Sequence, residues 1–489
     1  MTGRPTPMNA RMTARGALAC AVALEVAGCG AFGPSRNPPA MTIPARYSAI
    51  STVNTPVVQA PPVPEWWTLY GSDALDALVQ EGLANSPSLS AAQSTLKAAH
   101  EQLRGQIGQN VFPTVDADVS PTRQRALGIP ILPQETFLEN VFTAQVEAKY
   151  TFDFFGASVL ADRALGRQVV SQGYQLQATR RALAANIVLA TIDSASLAEQ
   201  IAATTQLVAL GEERAAQLQA RYRQGSASRD DMLAAAEDAA HTAATLPALR
   251  AQAESVRHAQ AVLLGRTPDQ APQPLALDAL HMPEPVPVAV PSELLHQRPD
   301  ILAAEAAVRA SADEAGAAAA ALYPSLTLAA SYGRGGFDWS TFTSPAGAIW
   351  SVGATLTQPL FHGGALAARK RQYQASYEAS VALYKQTVLA AFQNVADTLV
   401  TLDEDANTLT QTARAATAAR DVNSDTEARY RLGAMPFYAT LTAGQQYQSA
   451  EIQYVRARAA RLADTANLLD AMGDPAAISA KPAQASMSP

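Results

Sequence analysis

The residues whose types could support catalysis are scattered along this chain of 489 residues. Its six histidines show neither a His-Glu-x-x-His pattern nor another spacing typical of metal ligands. They are His100, His241, His258, His281, His296 and His362. No glycine-rich loop that could cradle a phosphate follows a predicted strand. The sequence therefore predicts no enzyme, no metal site and no noncovalent cofactor.

A covalent modification is expected at one cysteine near the N-terminus. Arginines precede an apolar stretch, residues 16–28, that is too short to span a bilayer. It ends in Val26–Cys29, which resembles the cleavage box of bacterial lipoproteins, although Glu25 within the stretch departs from that pattern. We expect a signal peptide at 1–28 and a lipid on Cys29. The alternative is that Cys29 is only a small apolar residue of the signal.

The charge distribution gives no indication of a nucleic-acid partner. The chain carries 43 acidic residues and 36 lysines and arginines, a net charge of −7. Because these charges are spread out, no basic stripe is present. Charged residues make up only 16% of the chain and alanine dominates its helical regions, which favours helices packed closely on several sides.

The chain is internally duplicated. One alanine-rich helical stretch ends at Phe112-Pro113 and another at Tyr323-Pro324, and an alternating segment follows each. Further on, Arg221–Gly225 is matched by Arg429–Gly433, an offset of 208 residues. Two elongated copies of one unit cannot each bury a core, so they should pack side by side or recruit further copies.

Two very long helices are predicted, at 157–223 and 365–432, because neither stretch contains proline. At 1.5 Å per residue each would extend roughly 100 Å, which suits the periplasm better than a compact enzyme. Shorter helices should lie end to end in pairs beside each long one, and Pro247 should kink one of them. The predicted shorter helices span 73–111, 228–265, 292–322 and 437–473.

Four short segments alternate between apolar and polar residues, as half-buried strands do. The clearest is 142–153, and the others begin at Thr114, Ser325 and Trp350. One face of such a sheet can pack on a soluble core. Here no covering helix is evident, and the pattern matches the wall of an outer-membrane barrel. We expect four acids to face its lumen: Asp116, Asp118, Glu147 and Asp153.

A barrel would require several copies of the chain. No apolar run after residue 30 reaches the roughly 20 residues of a spanning helix, so a membrane crossing by the mature chain would be a β-barrel. Four strands cannot close a barrel, since the smallest ones use about eight. Two copies would supply eight strands, and three would supply twelve and an open lumen. The residues alone leave both open.

Several short motifs, in their order and spacing, resemble the TolC-like outer-membrane efflux channels, in particular their lipoprotein branch of NodT or OprM type. These motifs are Trp66-Trp67, Leu263–Pro268, Pro291–Leu295, Arg298–Ile301, Tyr323–Ser325 and Gln358–Gly364. The resemblance covers residues 60 to 473. It implies a mainly α fold with a small β part, in which a long periplasmic α-helical barrel joins a trimeric, 12-stranded transmembrane β-barrel.

The same resemblance implies the function and the partners. The chain would be the outer-membrane channel subunit of a tripartite efflux system, a passive duct that exports drugs or other small toxic compounds. It would form a homotrimer and meet a periplasmic adaptor (membrane fusion protein) and an inner-membrane pump of the resistance-nodulation-division (RND) class. The alternatives are the duct of a type I protein-secretion system and, from a different class, a lipid-anchored coiled-coil spacer.

The two repeated turns are where the resemblance places the periplasmic tip that docks the adaptor. The residues concerned are Arg221, Tyr222, Gly225, Arg429, Tyr430 and Gly433. Helix capping by glycine would explain the same residues without a partner. Family members often constrict the pore with carboxylates. Ala439 and Thr442 replace them after the second turn, whereas Asp230 and Asp231 after the first are candidates for a gate. A solvated acidic helix start is the alternative.

These expectations divide the chain into six parts. They are the signal peptide 1–28, an extended tether 29–64, a first repeat 65–265, a proline-rich connector 266–291, a second repeat 292–473 and a disordered tail 474–489.

Overall fold

The computed structural model describes residues 32–41, 57–59, 63–127, 136–283, 285–288 and 296–473. The predicted signal peptide, Cys29 and the predicted tail lie outside these residues. The chain forms two compact units. The strand unit comprises Met1–Ala40, Lys97–Gln172 and Ala304–Tyr384, and the helical unit comprises Met41–Leu96, Gly173–Ala303 and Lys385–Pro489.

The described residues are mainly helical. The helices are α1 Asp73–Asn85, α2 Pro87–Val111, α3 Ala157–Arg223, α4 Arg229–Leu263, α5 Pro299–Ala320, α6 Trp339–Thr343, α7 Ala365–Arg431 and α8 Phe437–Ala471. The strands are β1 Val57–Gln59, β2 Thr114–Leu127, β3 Thr136–Phe152, β4 Val286–Val288, β5 Ser325–Gly336 and β6 Ala348–Thr357. Both long helices have 67 residues, which confirms the prediction for α3 and α7 to within one residue.

Two details of the helices differ from the expectation. The single helix predicted over 73–111 is divided, because Ser86 is extended, as a residue before a proline prefers to be, and α2 starts at Pro87. Pro247 lies within α4 and does not end it, and the kink predicted there stays a prediction. One described helix, α3, is also long and apolar enough to cross a membrane, contrary to our reading of the sequence. Most of its apolar window is buried within the chain, as in the core helix of a soluble protein.

The strand unit contains a four-stranded antiparallel sheet in the order β2-β3-β5-β6. Its register aligns the apolar residues of all four strands in rows, one of which contains Ala117, Val146, Tyr332 and Trp350. The predicted alternation is therefore confirmed. The third strand is longer than predicted, since β3 begins at Thr136 and the alternating segment was expected to begin at residue 142. Pro121 is tolerated within β2 because that strand lies at an edge of the sheet.

The apolar face of this sheet is open to solvent in the single chain. Every residue of β6 is exposed, including Trp350 at 74% and Val352 at 76%. Val115 and Val119 on β2 are exposed as well. A contiguous apolar surface of this kind on one chain marks a face that another phase or another molecule covers.

The helical unit has a conventional core of aromatic and aliphatic side chains. Trp66, Tyr70, Leu75 and Ile187 are almost fully buried in it. The Tyr70 hydroxyl donates a hydrogen bond of 2.8 Å to the carbonyl of Leu462 on α8. The short helical turn at Trp66–Tyr70 therefore joins the start of the folded body to its last helix.

The proline-rich connector is fixed to the helical unit at several points. It contains short 3₁₀ turns at Pro268–Gln270 and Leu277–Ala279. The amide of Leu277 donates to a carboxylate oxygen of Glu199 at 3.1 Å. Strand β4 then pairs in parallel with β1, which belongs to the stretch that we expected to be an unpaired tether. This pairing could not be predicted from the sequence, because strands of three residues show no periodicity.

The Arg298-Pro299-Asp300 motif has a clear structural role. Arg298 Nη1 donates to the carbonyl of Ala471 at 3.0 Å, while Arg181 Nη2 donates to the carbonyls of Leu469 and Asp470. The last carbonyls of a helix lack partners within it and carry partial negative charge. Two arginines, one from each repeat, therefore cap the C-terminus of α8.

Candidate functional site

The polar face of the sheet carries the acids predicted for a lumen. Asp116 and Glu147 are direct partners across β2 and β3, and Asp118 faces Gln145. Like charges opposite each other are unfavourable unless water solvates them. Hydroxyl pairs continue the polar surface, with Ser331 and Ser351 at 2.9 Å. The face is suited to contact with water.

Asp153, the fourth predicted acid, has a local structural role that the sequence analysis did not predict. It lies one residue beyond β3, and its carboxylate accepts hydrogen bonds from the amides of Ala157, Ser158 and Val159 at 2.8 to 3.0 Å. These amides are the unpaired donors of the first turn of α3. Asp153 therefore caps a helix, and its exposure to a lumen stays a prediction.

Aromatic residues flank the apolar face at both ends. At the loop end, Phe142 contacts Trp339 with ring centroids 6.1 Å apart. At the helix end, Phe152 contacts Tyr150 at 4.8 Å. The ten residue-to-residue steps from Phe142 to Phe152 extend about 34 Å along the strand. With the tilt of 35–45° found in membrane barrels this corresponds to a height of about 24–28 Å, which matches their apolar band.

The turn after α3 ends the helix by a glycine in the left-handed region. Gly225 has φ +74°, and its amide donates to the carbonyl of Tyr222 at 2.9 Å. The amide of Ser226 donates to the carbonyl of Arg221 at 2.8 Å. This pair of bonds is the Schellman motif, in which glycine avoids the penalty of a side chain.

The turn after α7 repeats this geometry. Gly433 also has φ +74°, and its amide donates to the carbonyl of Tyr430 at 2.8 Å. The amide of Ala434 donates to the carbonyl of Arg429 at 2.9 Å. The structure thus places the six predicted tip residues in two equivalent turns, whose capping geometry accounts for the glycines.

Side-chain contacts link the first turn to α8 and close the second turn. The Arg221 guanidinium lies 5.6 Å from the ring centroid of Tyr438 on α8, a cation–π contact. Tyr430 packs on Phe437 with centroids 5.3 Å apart. Tyr222 and Tyr430 remain substantially exposed. The end of the helical unit therefore presents arginine and tyrosine side chains on a fixed backbone.

Asp231 takes part in helix capping. The Ser228 hydroxyl accepts a hydrogen bond from the Asp231 amide at 3.0 Å and donates one to Asp231 Oδ2 at 2.7 Å. This reciprocal arrangement resembles a capping box. Asp230 and Asp231 are both exposed. The capping accounts for Asp231 within one chain, and the gate remains a prediction.

One titratable pair was missed by sequence reasoning. Burial, followed by the hydrogen bond and the charge of Asp464 on α8, raises the pKa of Asp405 on α7 to about 7, although the charge of Arg461 lowers it. The two carboxyl groups are far apart in sequence, so no spacing rule could bring them together. Within the ranges that the structure describes, no cluster of three or more His, Cys, Asp or Glu residues could hold a metal ion.

A sheet with one apolar and one polar face, joined to helices of 67 residues, is the structure expected of a subunit of an outer-membrane channel. Residues 78–266 and 290–474 match the family model described as outer membrane efflux protein. The chain belongs to that family. The two matched segments lie close to the two repeats predicted from the sequence, 65–265 and 292–473.

Individual relatives agree with this assignment. The chain is 29% identical over 422 residues to the pyoverdine export outer membrane protein OpmQ of Pseudomonas aeruginosa, covering 84% of this chain and 87% of the relative. It is 23% identical to the probable outer membrane lipoprotein SilC of Salmonella typhimurium, covering 92% and 96%. Its fold matches that of the outer-membrane channel OprN with a TM-score of 0.80 and 25% identity, covering 90% of this chain and 98% of that one.

These comparisons confirm the predicted fold class and the efflux function. Members of the family are outer-membrane channels of the duct type, form trimers and work with adaptor proteins and RND pumps. The identity of the adaptor and pump, and the attachment of lipid to this chain, are separate questions.

Proposed function

We propose that three copies of this chain assemble into one outer-membrane duct, with the apolar sheet faces toward lipid and the polar faces toward the lumen. The observation that carries the proposal is the uncovered apolar face on β6. Four strands leave β2 and β6 as open edges, whose unpaired amides are costly in lipid. Edge pairing between three copies removes every open edge and leaves a lumen twelve strands in circumference.

The duct serves a tripartite system with a periplasmic adaptor and an RND pump. The two capped turns, with Arg221, Tyr222, Arg429 and Tyr430 on a rigid backbone, form the surface that meets the adaptor. Arginine and tyrosine are enriched at the energetic centres of protein interfaces, which supports this assignment.

A lipid on Cys29 anchors each copy in the outer membrane. The cleavage-box pattern supports the modification, and the relative SilC bears the description of a probable outer membrane lipoprotein. Cys29 lies outside the described residues, so mass spectrometry of the purified mature chain is the direct check.

The exported compounds are drugs or other small toxic molecules. The relative OpmQ exports pyoverdine, and the match to it favours small solutes over proteins as cargo. Asp116 and Glu147 face each other on the lumen side and favour passage of cations over anions.

The proposal is tested with a deletion strain challenged with antibiotics, dyes, metals and solvents. The strain should gain sensitivity to part of the panel, and the wild-type gene should restore resistance. Val352→Arg places a charge on the lipid face of β6 and should abolish rescue, since arginine there costs about 2–4 kcal/mol per chain at the midplane of the membrane. The adjacent Ser351→Arg points to the lumen and should retain rescue. Equal behaviour of the two variants would refute the assignment of the faces.

The gate is tested separately with Asp231→Ala in single-channel recordings. If threefold symmetry brings the Asp231 carboxylates together, their removal should raise the closed-state conductance and weaken its response to salt. Ser228→Ala, which removes the capping partner but leaves the charge, is the matched control. Unchanged conductance in Asp231→Ala would exclude a gating role.

A further inference from the structure

The first described residues of the chain contact side chains of α5, of α7 and of the link between α5 and β5. Phe32 contacts the ring of Tyr323 edge-on, with centroids 5.0 Å apart. The Tyr377 hydroxyl donates to the carbonyl of Ser35 at 3.0 Å. These contacts join an N-terminal segment to residues about 290 and 340 positions later, all within the strand unit. The segment is held by specific side chains.

An ion pair with a buried acid fixes the end of this segment. Arg36 Nε donates to Asp313 Oδ1 at 2.5 Å. The Asp313 side chain is only 1% exposed. A carboxylate at such a depth is strongly destabilising when its partner is removed. The site therefore requires a cation, and the N-terminal segment supplies it.

The backbone of this segment also lies very close to the backbone of α5. Gly316 on α5 lies under the segment, and a Cβ at this position would be 2.5 Å from the carbonyl oxygen of Phe32. Gly33 has φ +117°, and a Cβ there would be 3.0 Å from Gly316 Cα. Two glycines facing each other let the two backbones touch. Glycine within a helix costs about 0.5–1 kcal/mol relative to alanine, so its presence here is explained by the close approach.

We propose that Phe32–Arg36 is a docking peptide. Its site, formed by Asp313 and Gly316 on α5 and by Tyr323 just after that helix, fixes the membrane anchor near the end of the sheet at which β5 begins. Tyr323 lies two residues before β5. Only three peptide steps separate Phe32 from Cys29, at most about 11 Å of extended chain. The anchor would thus be held close to the end of the sheet at which β2 and β5 begin and β3 and β6 end. This inference rests on the lipid-anchored form of the proposed function.

The consequence is that the N-terminal segment becomes part of the packed strand unit when it docks. Before the segment docks, Asp313 has no contact with Arg36 and the groove over Gly316 is open. Docking compensates the buried charge and attaches the anchor to the folded chain in one step. The anchor then has a fixed position relative to the sheet, unlike a lipid on a free tether.

The test uses the purified mature protein in detergent and measures the rate of tryptic cleavage at the Arg36–Asn37 bond by mass spectrometry. The docked segment should protect this bond. Asp313→Asn should accelerate its cleavage at least tenfold, because the charge that retains Arg36 is gone. Glu101→Gln, which neutralises an exposed acid of the same unit paired with Arg104, should leave the rate unchanged.

Gly316→Ala is the second variant, and it guards against a trivial loss of folding. Alanine is favoured over glycine within a helix, so circular dichroism should show an intact fold. The added Cβ should nevertheless displace Phe32 and accelerate cleavage after Arg36 at least fivefold. The double variant Arg36→Asp with Asp313→Arg restores an ion pair with exchanged charges. Its yield of trimer should therefore exceed the yield of either single variant.

Two results would overturn the inference. One is a cleavage rate in both Asp313→Asn and Gly316→Ala equal to that of Glu101→Gln. The other is rapid cleavage after Arg36 in the wild-type protein. The intact mass reports lipid on Cys29 independently. An unmodified Cys29 would contradict the lipid anchor of the proposed function. The cleavage rates test separately whether Phe32–Arg36 docks on its site.

Discussion

The carboxyl pair Asp405 and Asp464 gives the most specific prediction about stability. Asp405 on α7 faces Asp464 and Arg461 on α8, and the Arg461 guanidinium also donates to the carbonyl of Leu402. Asn467 donates to Asp464 at 3.2 Å. Asp405→Asn retains the shape and hydrogen-bonding capacity of the side chain while removing its ionisation. The variant should therefore stabilise the protein by an amount that grows as pH rises from 3.8 to about 7 and is largest above that.

The sign follows from the raised pKa of Asp405. Between its ordinary value of 3.8 and about 7, the folded chain keeps a proton that the unfolded chain has released. Stability therefore falls as pH rises through this window and is constant above it. A rise in pKa of this size corresponds to roughly 4 kcal/mol for a fully shielded group. Asp405 is half-buried, and screening by solvent reduces the effect to about 1–2 kcal/mol.

The assay is thermal unfolding of the purified protein at pH 5 and pH 8. Unfolding entropy near 2 cal/mol/K per residue converts the expected gain at pH 8 into an increase in Tm of about 1–2 °C for a chain of this length. At pH 5 the gain should shrink as the wild-type carboxyl protonates. Asp397→Asn, an exposed acid on the same helix, is the control. A gain for Asp405→Asn that is equal at both pH values, or matched by Asp397→Asn, would refute the reasoning.

Two further predictions concern the helix turns and the core. Gly225→Ala and Gly433→Ala should each destabilise the fold by about 1–2 kcal/mol, because alanine is strained at φ +74° and no neighbouring atom obstructs the new methyl group. Gly105→Ala, in the middle of α2, should instead be neutral or stabilising in the same thermal assay. Tyr70→Phe should cost about 1–2 kcal/mol by leaving the buried carbonyl of Leu462 without its hydrogen bond, measured by denaturant unfolding. An unchanged midpoint would show that water replaces that bond.

The long elements were predictable because their signals extend over many residues. A 67-residue stretch without proline specified α3 and α7 nearly to the residue. Alternation over β3 specified which side chains share a face, and the register confirms it. Both patterns are local, so a single sequence carries them.

The interactions that the sequence did not reveal join distant residues. Neither the Arg36–Asp313 ion pair nor the carboxyl pair of Asp405 and Asp464 has a local pattern. Asp153 shows a different limit. Its position continues the alternation of β3 by one residue, yet the free amides of α3 compete for its carboxylate, and capping determines its orientation.

The central claim is that the apolar sides of the four strands contact lipid while their polar sides enclose water. Single-channel recording of the purified protein in planar bilayers tests it most directly. We predict discrete conductance steps for the wild-type chain and none for Val352→Arg. A wild-type protein that is folded and monomeric in buffer without detergent, and that produces no steps, would contradict the claim.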